Sequence, residues 1–400
     1  MKVYEIGTGY TSIPAKLGAA TEIVVEELVK SLKKRSFDVE LIDIYDDKRD
    51  FLDVNVIQVK VPKFLMKTDL KLGIFHKLKR VIYSINLFKK IKTILKNTKE
   101  KVILHFHNQY NLYFFDKLIS KKLRKKAIIF YTVHSYIWQG EWNEIKADVK
   151  KRYFQEVKCF DVADKVYILN EKTKKNLVDF LGVDETKLVI VNNGVNIDVY
   201  QPIDMNEKLL TKNKMNLNFE KIILQVGSVC DRKNQLETVK LLKNYLLNHK
   251  SVAYVFVGGI IDNDYFLSIN DFASKENISN QVLYMGEVKP GKVLSDFYKI
   301  ADVTICNSKL EAFGMVIIES MSCGTPVIIS ENLENLFNEG PIVYKDNLID
   351  CLEKNIFDQS SFEINKVKSR NIVESVYSWD KISLDYFDDK VKEGVELWEN

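Results

Sequence analysis

Short runs of β-branched and apolar residues alternate along the whole chain with longer segments of helical periodicity. The run at residues 221–226 is apolar at most of its positions, as a strand buried on both faces requires. In residues 21–35, by contrast, Val25, Leu28 and Leu32 keep helical spacing. This alternation predicts an α/β fold of parallel sheets with helices on both faces. The candidate strands are residues 3–6, 38–44, 53–59, 102–106, 127–133, 165–169, 188–191, 221–226, 252–257, 281–285, 302–306 and 326–329.

The chain of 400 residues is too long for one compact core, because domains usually close at about 100–200 residues. The clearest break in the strand–helix pattern is the polar stretch that follows Pro202. We therefore expect two Rossmann-like domains, residues 1–200 and residues 201–377. Open parallel sheets bind ligands at the carboxyl ends of their strands, so the two domains are expected to face a central cleft that holds the functional site.

The composition excludes several classes of protein. Hydrophobic residues make up 46% of the chain and charged residues 28%, which are globular values and not those of a disordered or fibrous chain. The five cysteines are scattered without a C-x-x-C pair, so neither a disulfide scaffold nor a thiolate zinc site is expected. No apolar run reaches the roughly 18–20 residues of a membrane span, and residues 1–7 suggest a strand, not a signal peptide. We expect a cytoplasmic protein with no nucleic-acid partner.

The most informative local pattern lies in residues 301–330. A strand is followed by a loop with Glu311 and Gly314, then by a helix with Glu319, and then by a Cys-Gly-Thr-Pro turn at residues 323–326. Gly314 allows close approach of the backbone to a ligand, and the unpaired N–H groups of the first helical turn suit a diphosphate. The two carboxylates can bind hydroxyl groups of different parts of one extended ligand.

In this context the Glu-x7-Glu spacing resembles the signature of the retaining family-four glycosyltransferases, which have the GT-B fold. Companion segments extend the resemblance over nearly the whole chain. They are Asn-Gly-Val-Asn at residues 193–196, Val-Gly-Gly at 257–259, Tyr-Met-Gly at 284–286 and Ser-Trp-Asp at 378–380. The last of these resembles the start of the family's final helix, here residues 378–400, which is expected to cross back to the first domain.

The resemblance implies roles for five residues of the motif. Glu311 is expected to bind hydroxyls of a donor sugar, and Glu319 the ribose hydroxyls of its nucleotide. The backbone N–H groups of Phe313, Gly314 and Met315 are expected to contact the sugar and the β-phosphate. These roles agree with the chemistry of the residues, since carboxylates accept from hydroxyls and helix-start amides bind anions.

A cation for the diphosphate is predicted in residues 227–235, just after the strand at 221–226. Lys233 matches the family's lysine and can stabilise the charge that grows on the leaving diphosphate. The family's arginine directly after the glycine is replaced here by Ser228. Either Arg232 supplies the second cation or the donor site works with less positive charge.

Three of the five histidines follow adjacent candidate strands: His105 and His107 on one, His134 on the next. The Thr-Val-His segment at residues 132–134 resembles the family's Thr-x-His, whose histidine reaches the donor sugar. We therefore predict that His134 is catalytic and that His107 is an acceptor-side residue, with His105 the weaker candidate.

Two short segments bear on whether the protein binds a nicotinamide cofactor or a metal ion. The first glycine loop has Ser12 where a dinucleotide fingerprint needs its third glycine, which argues against NAD. The loop is similar to the family's loop over the diphosphate, in which Gly18 is the predicted donor-binding residue. Residues 262–264 read Asp-Asn-Asp, a metal signature of the other glycosyltransferase fold, but we interpret them as a polar loop. No metal and no cofactor are expected.

These observations predict a glycosyltransferase that moves a sugar from a nucleotide-diphosphate donor to a hydroxyl acceptor, and the resemblance implies retention of configuration. The acceptor could be a glycolipid, a lipid-linked glycan or a polysaccharide. A nucleotide-sugar epimerase or a sugar phosphorylase of the same fold remains an alternative, and a nicotinamide-dependent oxidoreductase is the alternative from another class.

The charge of the chain is concentrated in one segment. Residues 1–200 have a net charge of +12 and residues 201–400 of −8, while residues 63–101 alone have +10. Within this segment seven apolar residues recur at helical steps: Ile74, Leu78, Val81, Ile85, Phe88, Ile91 and Leu95. Three interpretations stay open: a helix packed on the first domain, a helix against an anionic membrane surface, and a site for a polyanionic acceptor. If the helix lies against a membrane, the protein is expected to be attached peripherally to the cytoplasmic face of that membrane. The basic residues at 121–126 would then form a second contact with the membrane.

Overall fold

The structure is a computed structural model that describes residues 1–15, 20–66, 74–135, 137–140, 151, 153–388 and 391. The chain divides into two compact units. The first unit comprises Met1–Asn193 and Trp379–Asn400, and the second comprises Gly194–Ser378. The division falls between Asn193 and Gly194, earlier in the chain than the predicted boundary at residue 200.

The described residues of the first unit form a seven-stranded parallel sheet in the order β3-β2-β1-β4-β5-β6-β7. Its strands are β1 Val3–Ile6, β2 Val39–Ile44, β3 Val56–Val59, β4 Val102–Phe106, β5 Ala127–Thr132, β6 Lys165–Ile168 and β7 Leu188–Ile190. Its helices include α1 Ala20–Lys34, α2 Lys63–Met66, α3 Ile74–Asn97, α4 Gln109–Leu118, α5 Lys121–Arg124, α6 Phe154–Val162 and α7 Glu171–Leu181, with 3₁₀ turns at Ile137–Gln139 and Glu185–Lys187.

The second unit has a six-stranded parallel sheet in the order β10-β9-β8-β11-β12-β13. Its strands are β8 Lys221–Val226, β9 Val252–Val257, β10 Val282–Tyr284, β11 Val303–Cys306, β12 Val327–Ser330 and β13 Ile342–Tyr344. Its α-helices are α8 Met205–Lys214, α9 Gln235–Asn248, α10 Asn263–Lys275, α11 Lys292–Ile300, α12 Met315–Ser322, α13 Leu348–Leu352 and α14 Gln359–Ile372. Shorter turns of 3₁₀ or π geometry lie at Asp231–Lys233, Glu331–Leu336, Glu353–Phe357 and Val373–Tyr377.

The predicted α/β class is confirmed, because both sheets are parallel and their central strands are buried along their length. Strand β9 is buried at all six positions, which explains why its sequence is apolar without alternation. The sequence did not indicate β13, because this three-residue edge strand is only partly buried and is preceded by a turn, not a helix.

The C-terminal helix α15, Trp379–Tyr386, belongs to the first unit, as predicted. Two polar contacts join it to α1: Lys34 Nζ lies 2.6 Å from a carboxylate oxygen of Asp380, and Arg35 donates to the Ser383 carbonyl oxygen at 2.7 Å. The Tyr167 hydroxyl donates to the carbonyl oxygen of Tyr386. The last described helix therefore closes one face of the first sheet.

The predicted apolar stripe lies on helix α3, but only part of it is buried. Phe88, Ile91 and Leu95 are buried in the core, but the first half of the stripe is exposed. At that end the helix turns a different face inward, because its neighbour there is the glycine loop after β1: Lys79 donates to the Tyr10 carbonyl oxygen at 2.8 Å. The exposed residues of the predicted stripe are Ile74, Leu78 and Val81.

The interpretation of residues 262–264 as a loop was wrong. The Asp262 side chain accepts a hydrogen bond from the Tyr265 N–H at 3.0 Å and caps helix α10, whose first residues are Asn263 and Asp264. An Asp at this position is explained by the unpaired N–H groups of the first helical turn. Among the described residues, no helix has the length and hydropathy that crossing a bilayer requires.

Candidate active site

Lys233 and Glu311, predicted as a phosphate cation and a sugar-binding carboxylate, form a direct ion pair in the second unit. Lys233 ends the 3₁₀ turn after β8, and Glu311 lies in the loop after β11. The Lys233 Nζ is 2.5 Å from Glu311 Oε1, and both side chains are about nine-tenths buried. Strands β8 and β11 are neighbours in the parallel sheet, so the two loops at their carboxyl ends meet.

The electrostatics of Glu311 follow from this pairing. Burial by itself would raise the pKa of the carboxyl group, and the Lys233 ammonium beside it is the main opposing influence. A hydrogen bond from Ser308 and the charge of Arg232 act in the same direction as Lys233, and the pKa of Glu311 is lowered. Glu311 is therefore an ionised acceptor for hydroxyl groups at neutral pH.

Arg232 and Ser228 occupy different parts of the same loop. The Arg232 guanidinium donates to the Leu310 carbonyl oxygen at 2.9 Å, and its Nη1 lies 3.5 Å from a Glu311 oxygen. Arg232 thus lies at the predicted site and contributes positive charge there. The Ser228 carbonyl oxygen accepts from Gln235 Nε2 at 3.0 Å, which fixes the backbone just after Gly227.

The start of α12 has the geometry that anion binding requires. Gly314 is in the left-handed conformation (φ 86°) and is the N-cap residue of the helix, so the N-cap position offers no side chain to the first N–H groups. The Phe313 ring is buried against Phe337 and Tyr377, so Phe313 offers its backbone and not its side chain to a ligand. Met315 is partly exposed in the first turn.

Glu319 is buried in α12 and is held by tyrosines. The Tyr298 hydroxyl donates to Glu319 Oε2 at 2.8 Å, and Tyr200 contributes a second hydrogen bond. Burial raises the pKa of Glu319 to about 7, although both tyrosines oppose that shift. Sequence reasoning did not find Tyr298 or Tyr200, because they lie outside the motif.

Tight packing of backbone against backbone accompanies the ion pair. Gly227 follows β8 and Gly258 follows β9, and a Cβ atom on Gly258 would lie 2.1 Å from the Gly227 carbonyl oxygen. A Cβ atom on Gly227 would lie 2.9 Å from Lys233 Cε. Glycine at these two strand ends therefore leaves the space in which the Lys233 side chain lies.

In the first unit the structure brings together all three predicted histidines. His107 Nδ1 lies 3.0 Å from His134 Nε2, and His107 Nε2 lies 2.8 Å from Glu5 Oε2. The His105 ring bonds Glu5 and Thr132, at 3.0 and 2.7 Å. Sequence reasoning did not find Glu5, although a glutamate inside an otherwise apolar strand is a usable signal. Gly18 lies outside the described residues.

Comparison with known proteins agrees with this geometry. The family model described as "Glycosyltransferase Family 4" matches residues 21–199, and the model described as "Glycosyl transferases group 1" matches residues 207–336. Both descriptions are of glycosyltransferases. The two matches together cover most of both units, and the group 1 match includes Lys233, Glu311 and Glu319.

Two curated relatives and one solved structure illustrate what the chain is similar to. The D-inositol 3-phosphate glycosyltransferase of Streptosporangium roseum is 30% identical over 183 residues, 44% of the chain and 41% of that relative. The UDP-Gal:alpha-D-GlcNAc-diphosphoundecaprenol alpha-1,3-galactosyltransferase of Escherichia coli is 25% identical over 84% of the chain and 79% of the relative. The chain thus spans less than half the length of the first relative.

The solved structure of Anabaena HepE in complex with UDP and glucose has a TM-score of 0.71 to the chain. The similarity covers 96% of the chain and 98% of HepE at 15% sequence identity, which shows the fold. The predicted GT-B class, with two parallel-sheet α/β domains, is therefore confirmed.

Proposed function

We propose that this protein is a hexosyltransferase that moves a sugar from a nucleotide-diphosphate donor to a hydroxyl acceptor with retention of configuration. The observation that supports it best is the buried Lys233–Glu311 pair. In this proposal Lys233 stabilises the leaving diphosphate and Glu311 binds donor-sugar hydroxyls. The family resemblance implies a sugar-binding role for His134. Retention rests on the family resemblance.

The nucleotide part of the donor is proposed to bind at α12. The uncapped N–H groups after Gly314 suit the β-phosphate, and Glu319 suits ribose hydroxyls. HepE was solved with UDP and glucose, and the E. coli relative uses UDP-Gal, so UDP-sugars are the first donors to test.

The acceptor is proposed to be lipid-linked, with the first unit attached to an anionic membrane. The supporting feature is a surface that we call the α2–α3 surface, where large apolar side chains are exposed among lysines. Phe64 is 64% exposed, Ile74 77% and Phe75 58%, and the lysines Lys63 and Lys77 beside them are exposed as well. The E. coli relative acts on a sugar linked through a diphosphate to undecaprenol, a lipid.

A donor screen followed by product analysis tests the enzymatic proposal. Thermal shift with a panel of nucleotide sugars should identify a stabilising UDP-sugar, and NMR of the product should show the donor's anomeric configuration in a glycoside. Release of a sugar phosphate in the presence of phosphate, or of an epimerised nucleotide sugar without acceptor, would instead support the phosphorylase or the epimerase. Stabilisation by NAD and not by any nucleotide sugar would contradict the proposal.

Vesicle binding tests the α2–α3 surface. The Phe75→Ser/Leu78→Ser variant should lose binding to anionic vesicles, since both side chains are exposed and their replacement leaves the core intact. Met205→Ser/Leu209→Ser is the matched control, because these residues are 77% and 59% exposed on α8 of the second unit. Binding should fall at high salt, where the contribution of about 1 kcal/mol per basic residue is screened. Equal binding of the two variants, or of neutral and anionic vesicles, would contradict membrane attachment through this surface.

A further inference from the structure

A continuous chain of hydrogen bonds runs through the core of the first unit from Thr132 to His134. It passes from Thr132 to His105, then to Glu5, then to His107, and finally to His134. The four successive distances are 2.7, 3.0, 2.8 and 3.0 Å. We call these five residues the Glu5 chain.

The sheet register explains why these residues meet. Glu5 of β1 is directly opposite His105 of β4. His107 lies two positions beyond His105, and His134 lies two positions beyond Thr132, so each pair points to the same side of its strand. The Glu5 chain is thus built from the ends of three adjacent strands, and only His134 at its end is partly exposed.

The inner end of the Glu5 chain is closed to solvent. Glu5, His105 and Thr132 have no exposed surface, and the His105 ring packs against Tyr386 and Phe387 from the C-terminal segment. Burial lowers the pKa of His105, His107 and His134 to about 3, so the three rings are neutral at physiological pH. A neutral imidazole has one N–H donor and one acceptor nitrogen, and its partners decide which nitrogen is which.

The proton positions follow from counting donors and acceptors. Burial raises the pKa of Glu5, and the hydrogen bond from His107 opposes that shift. With Glu5 ionised, its carboxylate accepts from a nitrogen of each neighbouring ring, so His107 carries its proton on Nε2 and has an acceptor at Nδ1. That acceptor must receive a proton from His134, which places the His134 proton on Nε2. The His134 Nδ1 is then an acceptor for a ligand hydroxyl.

We propose that Glu5, acting through His107, is a positioning residue that fixes His134 in the tautomer whose Nδ1 accepts a hydrogen bond from a sugar hydroxyl. This inference rests on the proposed function only where it names a sugar hydroxyl as the ligand. The tautomer of His134 is a property of the protein alone and does not depend on that function. This inference also assigns His107 a role behind His134 instead of a direct acceptor-side role.

The tautomers can be measured directly by ¹⁵N NMR of histidine-labelled protein, in which the five histidines give separable ring signals. The wild-type protein should show Nε2–H on both His107 and His134. A wild-type His134 that carries its proton on Nδ1 would overturn the proposal without any activity measurement.

A double variant tests whether Glu5 sets this state. In Glu5→Gln one acceptor oxygen is replaced by an NH₂ donor, so the ring that faces the amide nitrogen, His105 or His107, is favoured to reverse its tautomer. Adding Thr132→Val removes the hydroxyl that a reversed His105 would donate to, which leaves reversal of His107 and therefore of His134 as the favoured outcome. Thr132→Val alone should leave the His134 tautomer unchanged. An unchanged His134 tautomer in the folded double variant would also overturn the proposal.

Activity and metal content complete the test. The double variant should lower kcat by roughly 10- to 100-fold, as loss of an orienting partner commonly does. Glu156→Gln is the control for loss of a buried carboxylate, because Glu156 bonds Tyr131 and Trp138 at 2.8 and 2.9 Å and lies outside the Glu5 chain. An equal loss of kcat in Glu156→Gln would mean that the loss in the double variant reflects disruption of the structure and not the role of Glu5.

Metal analysis tests another explanation of the cluster, because Glu5, His105 and His107 are close enough to bind an ion. Stoichiometric metal in the purified protein would mean that these residues hold an ion and not a chain of protons, which would overturn the proposal. If no donor is turned over but the tautomers are as stated, the proposed function fails and the inference about Glu5 stands.

Discussion

Replacing Glu319 with Gln should remove a defined pH dependence of stability from the second unit. The Glu319 side chain is buried, and burial raises its pKa in the folded protein to about 7 from an ordinary value of 4.5. Below pH 4.5 the group is protonated in both the folded and the unfolded state. Between pH 4.5 and 7 only the unfolded state loses the proton, so the free energy of unfolding falls as pH rises. The shift corresponds to about 3 kcal/mol, since one pKa unit is about 1.4 kcal/mol.

The difference in unfolding free energy between wild type and Glu319→Gln should therefore decrease by about 3 kcal/mol from pH 4.5 to 8. Gln keeps the size of the side chain and can still accept from Tyr298. All four tryptophans belong to the first unit, so their fluorescence does not report on the second unit. Urea unfolding should be followed by hydrogen exchange of the α12 amides at each pH, with tryptophan fluorescence as the internal control for the first unit.

A difference that stays constant over this pH range would refute the reasoning, because it would mean that Glu319 is ionised in the folded protein throughout. The comparison of variants is necessary, since burial also raises the pKa of Glu22 in the first unit to about 7. That contribution is common to both proteins and cancels in the difference.

Three further predictions concern the donor site. Lys233→Ala should weaken UDP binding by roughly 10- to 100-fold in calorimetry, the range expected for the loss of one hydrogen bond to a charged group. The control Lys309→Ala removes a lysine from an exposed ion pair with Asp231 and should leave UDP affinity unchanged. Equal UDP affinities of the two variants would contradict the phosphate role of Lys233. Glu311→Gln should reduce transfer at least about tenfold with folding retained, and unimpaired turnover would exclude it from the site. Gly258→Ala should destabilise the second unit by at least about 2 kcal/mol in urea unfolding, since its Cβ would overlap the Gly227 carbonyl oxygen; wild-type stability would show that the strand ends can separate.

The sequence predicted the sheets well because their strands are buried on both faces and so have little freedom of composition. The candidate strands at 3–6, 102–106, 221–226 and 252–257 have the bounds observed for β1, β4, β8 and β9. The buried face of helix α3 was harder to predict. Helical periodicity indicates that a helix has an apolar face, but it does not indicate which part of the protein packs against that face. The first turns of α3 lie against the glycine loop, where His76 and Lys79 are buried while Ile74 and Leu78 are exposed.

The sequence allowed candidate site residues to be proposed, but it did not indicate the contacts between them. Glu311 and Lys233 are 78 positions apart, and nothing in either local motif indicates that one binds the other. Their pairing has a consequence for function: a diphosphate that draws the Lys233 ammonium toward itself also removes the charge that keeps the pKa of Glu311 low. The carboxylate proposed for the sugar and the cation proposed for the phosphate are therefore coupled. The effects of Lys233→Ala and Glu311→Gln on donor binding should not add, since each variant already disrupts the pair on which the other acts.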